Sequence, residues 1–394
     1  RREGSDGQWE MFAWPRRERR PLGFARLGGR LYARLEGSYP RGVTMQVDAR
    51  HAIREWAVAS VRDTGAQSSA GSARAAGTYG SDVQADWLRE RLGVHEGALS
   101  DAGRDLPSAL AWRVAEASED GTIDLEALID PEEDNSRATA YLVLYLTSPD
   151  ARRVWLNVGQ DDTLAIWVNG RRVSNGGHPR GTNDDTYSIP LRPGANGLML
   201  KVHEYEGVWF VRAAGVGIGW DDITVTTTRG QPGVPVTGDR YPHWTLVNNG
   251  LANGAVQALV PWKGRLYAAT GDGPFRFDPN SLQWTRLVAG FPPRWSKATE
   301  ALVVFEGRLY AGSIQGLHRL DEETDVWQNV GEGFGEPWIT ALAHTQGVLF
   351  AGTKRGAIYR ATDGGETWEL VYGRTPPPPI VPHSDDGPSL APVP

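Results

Sequence analysis

Gly264-Arg265-Leu266-Tyr267-Ala268 recurs as Gly307-Arg308-Leu309-Tyr310-Ala311 and as Gly29-Arg30-Leu31-Tyr32-Ala33, with a weaker copy at Gly347-Val348-Leu349-Phe350-Ala351. Tryptophans bracket these copies at nearly fixed distance. Trp244, Trp284, Trp327 and Trp368 are 40, 43 and 41 residues apart, and Trp9 precedes Gly29 by the same 20 residues that separate Trp244 from Gly264. Each period resolves into four short strands. In the second copy these are Val256 to Val260, Arg265 to Thr270, Pro274 to Asp278 and Trp284 to Val288, with Gly271-Asp272-Gly273 as a turn. The third and fourth copies repeat the plan over 301–330 and 340–371. A period of about 40–45 residues made of four strands predicts a β-propeller blade.

The last copy carries Ala361-Thr362-Asp363-Gly364-Gly365-Glu366-Thr367-Trp368. This resembles the Asp-box, or bacterial neuraminidase repeat, Ser/Thr-x-Asp-x-Gly-x-Thr-Trp, departing only at Ala361. Chemically the motif is local: a short carboxylate holds backbone amides in a hairpin, Gly365 supplies positive φ, and Trp368 packs between sheets. Asp363, Gly365, Thr367 and Trp368 are therefore expected to be structural. Asp278 and Asp321, six residues before their tryptophans, look like degenerate copies, and Gly4-Ser5-Asp6-Gly7-Gln8-Trp9 looks like the tail of another.

One repeat is interrupted. Gly29 and Trp244 are 215 residues apart, where 20 separate Gly264 from Trp284. Val43 to Asp48 alternates like a third strand and Trp244 begins a fourth, so the insertion is expected to replace the hairpin between them. Hairpin ends lie close together at the surface and accept inserted domains. The expected division is 1–48 propeller, 49–238 inserted β-sandwich, 239–374 propeller, and 375–394 a Pro-rich tail that cannot join a sheet. The fold class is thus all-β: a partial propeller of about four blades plus a remnant, with a sandwich inserted in one blade. Arg1 and the truncated first repeat suggest a fragment of a longer polypeptide.

Within the insert, Thr64 to Gly80 reads as a Ser/Ala/Gly-rich loop and Asp82 to Arg91 as a short helix. Ala140 to Leu146 reads as a buried strand. Gly159-Gln160-Asp161-Asp162 is a polar turn, and Leu164 to Val168 leads into Asn169-Gly170, a preferred hairpin turn. The Gly-x-Asp-Asp…Trp-x-Asn-Gly run and the later Asn196 to Val202 run resemble galactose-binding-like or protective-antigen-type jelly rolls over roughly residues 50–228. That resemblance implies carbohydrate recognition. In some such domains a consecutive Asp pair holds calcium against the sugar. It therefore marks Asp161 and Asp162 as a possible Ca²⁺ site, with Asp184 and Asp185 as candidates to complete an oxygen-rich rim. The competing reading is a hydrogen-bonded turn. Trp167, on the face opposite Leu164, Ile166 and Val168, is either a sugar-stacking platform or a ring packed under a loop. Trp209 reads as core and His203 as a surface residue.

Composition narrows the function classes. The 394 residues carry a formal charge of -7 with mixed signs, which disfavours a nucleic-acid partner. No apolar run is long enough for a membrane span. Cysteine is absent, so disulfides and thiolate metal sites are excluded. Sialidases related to the Asp-box repeat use an arginine cluster, a Tyr–Glu nucleophile pair and an Asp acid/base. No Arg-Ile-Pro-type strand is present, nor any His-Glu-x-x-His, Gly-x-Ser-x-Gly or phosphate-cradling loop. Asp272, Gln315, Glu332, Glu336, Trp338, Lys354 and Arg355 share one expected propeller face, as a polar pocket or as solvated turns. The expectation is a non-catalytic extracellular or cell-surface recognition protein for glycan or another extracellular polymer, with no required cofactor beyond possible Ca²⁺. The alternatives are a fragment of a sialidase-type exo-glycosidase and a protein–protein scaffold.

Overall fold

The computed structural model describes residues 2–3, 9–10, 21–35, 42–62, 86–129, 138–174, 183–204, 208–236, 238, 243–251, 255–291, 298–332, 334 and 337–373. The expected loop at Thr64 to Gly80, the Pro-rich tail and most of the Gly4 to Trp9 segment lie outside these. The chain is all-β, built of several separate antiparallel sheets.

Four of the sheets are the repeats. The second runs Val256–Trp262, Arg265–Thr270, Gly273–Asp278, Gln283–Arg286, each strand beside the next. The third (Thr299–Phe305, Arg308–Ser313, Gly316–Asp321, Val326–Asn329) and fourth (Ile339–Thr345, Val348–Thr353, Ile358–Ala361, Glu369–Tyr372) follow the same order. The glycine that opens each motif has a geometric cause. Lys263-Gly264, Glu306-Gly307 and Gln346-Gly347 have φ of 45° and 71°, 48° and 74°, and 46° and 74°. Two successive left-handed residues make the primed turn whose twist suits a two-residue hairpin, and glycine takes the second position without strain.

The first repeat sheet is the interrupted one. Its strands are Pro21–Leu27, Arg30–Leu35, Val43–Val47 and His243–Leu246. His243 pairs with Val47 and Leu246 with Thr44, so the insert leaves and returns through adjacent strand ends.

The tryptophan spacing also has a physical meaning. Three of the rings donate the Nε1 hydrogen to the carbonyl three residues after the preceding repeat's tryptophan. Trp284 reaches Val247 at 2.6 Å, Trp327 reaches Leu287 at 3.1 Å and Trp368 reaches Val330 at 3.0 Å. The approach is so close that a Cβ on Gly250 or Gly290 would fall 2.4 or 2.0 Å from the Trp284 or Trp327 carbonyl oxygen. Burying such a ring contributes several kcal/mol, so a repeat that lost it would lose its grip on its neighbour.

The insert holds two larger sheets. The larger is ordered Arg171–Ser174, Thr163–Val168, Gly194–His203, Ala138–Ser148, Thr224–Thr226, Val234–Pro235, with Glu55–Arg62 also pairing Ala138–Ser148. The smaller is ordered Asn183–Leu191, Arg152–Asp161, Phe210–Val216, Arg50–Ala52. Leu142, Leu144 and Leu200 of one sheet and Leu156, Val158 and Ile189 of the other share a single buried core. Trp209 belongs to it, as expected. The outer face of the larger sheet is covered too, by a segment beginning at the helix Trp87–Leu92. Asp86 caps that helix by accepting from the Arg89 amide, and Gly93 ends it at φ 68°.

Compactness divides the chain into Arg1–Thr270 with Phe275–Arg286, and Gly271–Pro274 with Leu287–Pro394. The insert therefore groups with the first two repeat sheets. The cause is a shared apolar cluster: Val216 and Trp155 of the smaller sheet join Tyr32, Met45, Phe277 and Trp284 of the repeat sheets.

Candidate functional site

The carboxylate group at one end of the insert stands out. Asp161 closes the strand Arg152–Asp161, and Asp162 precedes Thr163–Val168; the peptide bond joining them is cis. Thr163 pairs with His203 in an antiparallel ladder, so Asp162 and Glu204 lie one step beyond the same register pair. Asp161, Asp162 and Glu204 place carboxylate oxygens within 4.8 Å of one another, with Asp162 and Glu204 buried. Beside them on the chain, Gln160 is buried, and among the described residues its Oε1 has no hydrogen-bond partner. Glu204 also anchors the backbone, its amide donating to the Ala138 carbonyl at 2.9 Å. His203 is buried rather than superficial, its Nδ1 2.8 Å from the Thr139 hydroxyl. The sequence reading missed Glu204 because its nearness to Asp162 depends on strand pairing across 42 residues of chain.

The structure does not bring Asp184 and Asp185 into this group. The Asp184 carboxylate accepts from Arg212 Nη2 at 2.7 Å and from Asn157 Nδ2. Asp185 belongs to a clamp between the insert and the first repeat sheet. Its Oδ1 accepts from the Asn248 amide at 2.7 Å and the Thr186 amide at 2.8 Å. Asn248 in turn accepts from the Val43 amide at 2.8 Å. Next to it, Thr186 and Thr245 hydroxyls meet at 2.6 Å, and Ser188 donates to the Asn280 carbonyl at 2.8 Å. The Arg30 guanidinium lies 4.4 Å from the Trp155 ring centre.

Burial outweighs the two amide bonds and pushes the Asp185 carboxyl up to about 8, with the Asp184 charge adding to the rise. A carboxyl raised in the folded state stabilises the fold below its unfolded value near ~4 and loses that contribution as pH rises through 8. Asp185→Asn keeps an acceptor for both amides. It is expected to match the parent near pH 4 and to exceed it at pH 8.5 by on the order of 1 kcal/mol or more in urea unfolding. A variant less stable at both pH values would refute this.

Trp167 is not an exposed platform. It is buried, with the Arg172 guanidinium 5.0 Å from its ring centre, and a Cβ on Gly97 would meet the ring at 3.3 Å. The covering segment took the place a sugar would need. On the fourth repeat, Trp338 donates to Glu300 at 2.8 Å and Lys354 lies over its ring, while Glu336 is outside the described residues. Asp363 holds the backbone that follows it: Oδ1 accepts the Glu366 and Thr367 amides at 3.0 and 3.1 Å, and Oδ2 accepts the Thr367 hydroxyl. Gly365 has φ 85°, and Trp368 packs against the core between the third and fourth sheets. Asp278 and Asp321 likewise hold the amides of Asn280 and of Glu323 and Thr324.

No family model matches the chain, and no curated protein does. Among solved structures, the computationally designed Ika4 protein is similar at 19% identity, covering 31% of this chain and 73% of that one, with TM-score 0.24. The N-terminal domain of Nup159 matches at 14% identity over 41% of each chain, TM-score 0.22. A Faecalibacterium prausnitzii beta-glucuronidase matches at 12% identity over 68% of this chain and 50% of that one, TM-score 0.24. Likenesses this low assign neither fold nor function. Among the described residues, no helix is long and apolar enough to cross a membrane.

Proposed function

We propose that this chain is a non-catalytic extracellular recognition protein. Its repeat sheets act as blades of an Asp-box-type propeller and carry an inserted jelly-roll-like module that binds a glycan with calcium. The observation that carries the reading is the convergence of Asp161, Asp162 and Glu204 within 4.8 Å at the end of the two-sheet insert. The donor set fits the ion. Calcium takes 6–8 hard oxygen ligands, and the three carboxylates supply part of that shell. Bound there, calcium would leave coordination positions for sugar hydroxyls. A metal at the strand ends also stabilises the fold, by mass action on the native state alone.

The test is calorimetric titration of the whole chain with CaCl2, followed by a glycan array with and without the ion. The expected result is one site, a higher melting temperature with Ca²⁺, and array signals lost in EDTA. Asp162→Asn and Glu204→Gln are each expected to weaken Ca²⁺ binding at least tenfold. Unchanged melting and no heat of binding would end the calcium reading. A silent array with calcium bound would end the glycan reading alone.

A further inference from the structure

We propose that Trp338, Glu300 and Lys354 form a metal-independent saccharide-binding site between the third and fourth repeat sheets. Both sheets belong to the same compact unit, and their first strands, Thr299–Phe305 and Ile339–Thr345, lie beside each other. The site shares no residue with the carboxylate group of the insert, so it stands or falls apart from the calcium reading.

The backbone of the repeat sets up one partner. In each repeat sheet the ladder between the first and second strands slips by one residue at the same place, and the extra residue is Leu22, Gln257, Glu300 or Thr340. A bulge of this kind re-aims the side chain it carries. Glu300 is the one carboxylate among the four. In the fourth sheet the ladder runs one step past Ile339: the Lys354 amide donates to the Trp338 carbonyl at 2.9 Å. The two side chains meet, with the Lys354 ammonium 5.0 Å from the Trp338 ring centre. Trp338 Nε1 in turn donates to Glu300 Oε1 at 2.8 Å. The ring is therefore held at its edge by the third sheet and on its face by the fourth, and it remains 36% exposed.

The repeat itself does not require this ring. In the third sheet the same ladder bond joins Ile314 to Ala298 at 3.2 Å, and the matching pair in the second repeat is Gly271 and Ala255. Packing between sheets falls instead to Trp284, Trp327 and Trp368, which reach the preceding repeat. Indole, carboxylate and ammonium are thus additions to the repeat plan at one place. Their chemistry names the ligand class. A pyranose offers a C–H face that stacks on an indole, and hydroxyls that both donate and accept. Glu300 can accept from one hydroxyl and Lys354 can donate to another. A flat apolar molecule would desolvate both charges without pairing them, and a simple ion would leave the ring unused. One stacked sugar with two polar partners is expected to bind at about 1–10 mM, too weakly to survive the washing of an array.

Fluorine NMR of the intact chain labelled with 5-fluorotryptophan, recorded in EDTA, tests the proposal. The probes are the methyl glycosides of glucose, galactose, mannose and N-acetylglucosamine. The Trp338 resonance is the one missing from Trp338→Phe. It is expected to shift saturably with at least one probe, and about fivefold more weakly in Glu300→Ala and in Lys354→Met, with melting unchanged in both variants. A Trp338 resonance that stays still with all four probes at ~100 mM would overturn the proposal, as would equal shifts in the variants. Because EDTA removes any bound calcium, neither result bears on the site in the insert.

Discussion

Lys201→Met is expected to destabilise the insert by about 3–5 kcal/mol at pH 7, and Lys201→Met combined with Glu96→Gln to recover most of that loss. Lys201 and Glu96 are both buried, with Nζ 2.8 Å from Oε1 and 3.1 Å from Oε2. Glu96 Oε1 also accepts from the Tyr141 hydroxyl and from the Trp87 amide at 3.1 Å, with Asp86 and Arg172 as the nearby charges. Burial pushes the Glu96 carboxyl up and the Lys201 amine down, each countered by the other's charge. Neither ion would remain charged there alone. Removing the amine leaves a carboxylate with no counter-charge of comparable reach, whereas replacing both leaves a neutral amide that Tyr141 and Trp87 still satisfy.

Without Lys201 the folded carboxyl rises further, so the single variant's deficit is small near pH 4 and full by pH 7. Urea unfolding of the four proteins at both pH values checks this. A double variant as damaged as the single, or a single variant within 1 kcal/mol of the parent, would show that the pair does not hold the covering segment to the sheet.

His318→Phe is expected to stabilise the third repeat sheet and to remove an acid-induced loss. By its place in the repeat, His318 stands where Phe275 and Tyr359 stand, on the third strand. It is fully buried and stacks on Phe291 with ring centres 4.2 Å apart. Neither ring nitrogen makes a hydrogen bond among the described residues. The Gly316 backbone is near enough to temper the effect, but its geometry makes no bond. Burial lowers the imidazole to about 4 from an ordinary 6.5.

The folded state therefore binds fewer protons than the unfolded chain between those values. Stability is intact above pH 6.5 and falls as pH drops toward 4, by about 3 kcal/mol over the window. Phenylalanine keeps the stack on Phe291 and removes two buried nitrogens whose desolvation costs about 1–3 kcal/mol each when unmet. Amide exchange across 308–330 at pH 7.5 and pH 4.5 should show slower opening in the variant at both, and a much smaller difference between the two pH values. An unchanged acid loss would mean that the sensitivity arises elsewhere.

The repeat was legible in the sequence because its causes are local. A hairpin turn that needs two left-handed residues demands the glycine before Arg265 and Arg308, alternation sets which side of each strand is apolar, and a fixed tryptophan spacing matches one strand-to-strand reach. The point of insertion was legible for the same reason, since Val43 to Val47 and Trp244 carry the pattern of strands found whole in the other repeats. The local job of Asp363 could be read because its partners lie within four residues.

What the sequence left open depends on pairs far apart in the chain. Glu204 joins Asp161 and Asp162 only through the register of Thr163 with His203. Asp184 and Asp185 read as candidates for an oxygen-rich rim until Arg212, from another strand, and the amide of Asn248, just beyond one, are brought against them. Trp167 alternates like an exposed ring, and becomes buried because residues 96–100 fold over it. Local propensity and periodicity act over a few residues and are written in their order. Burial and charge compensation act through space, and tertiary structure alone decides which distant groups share that space.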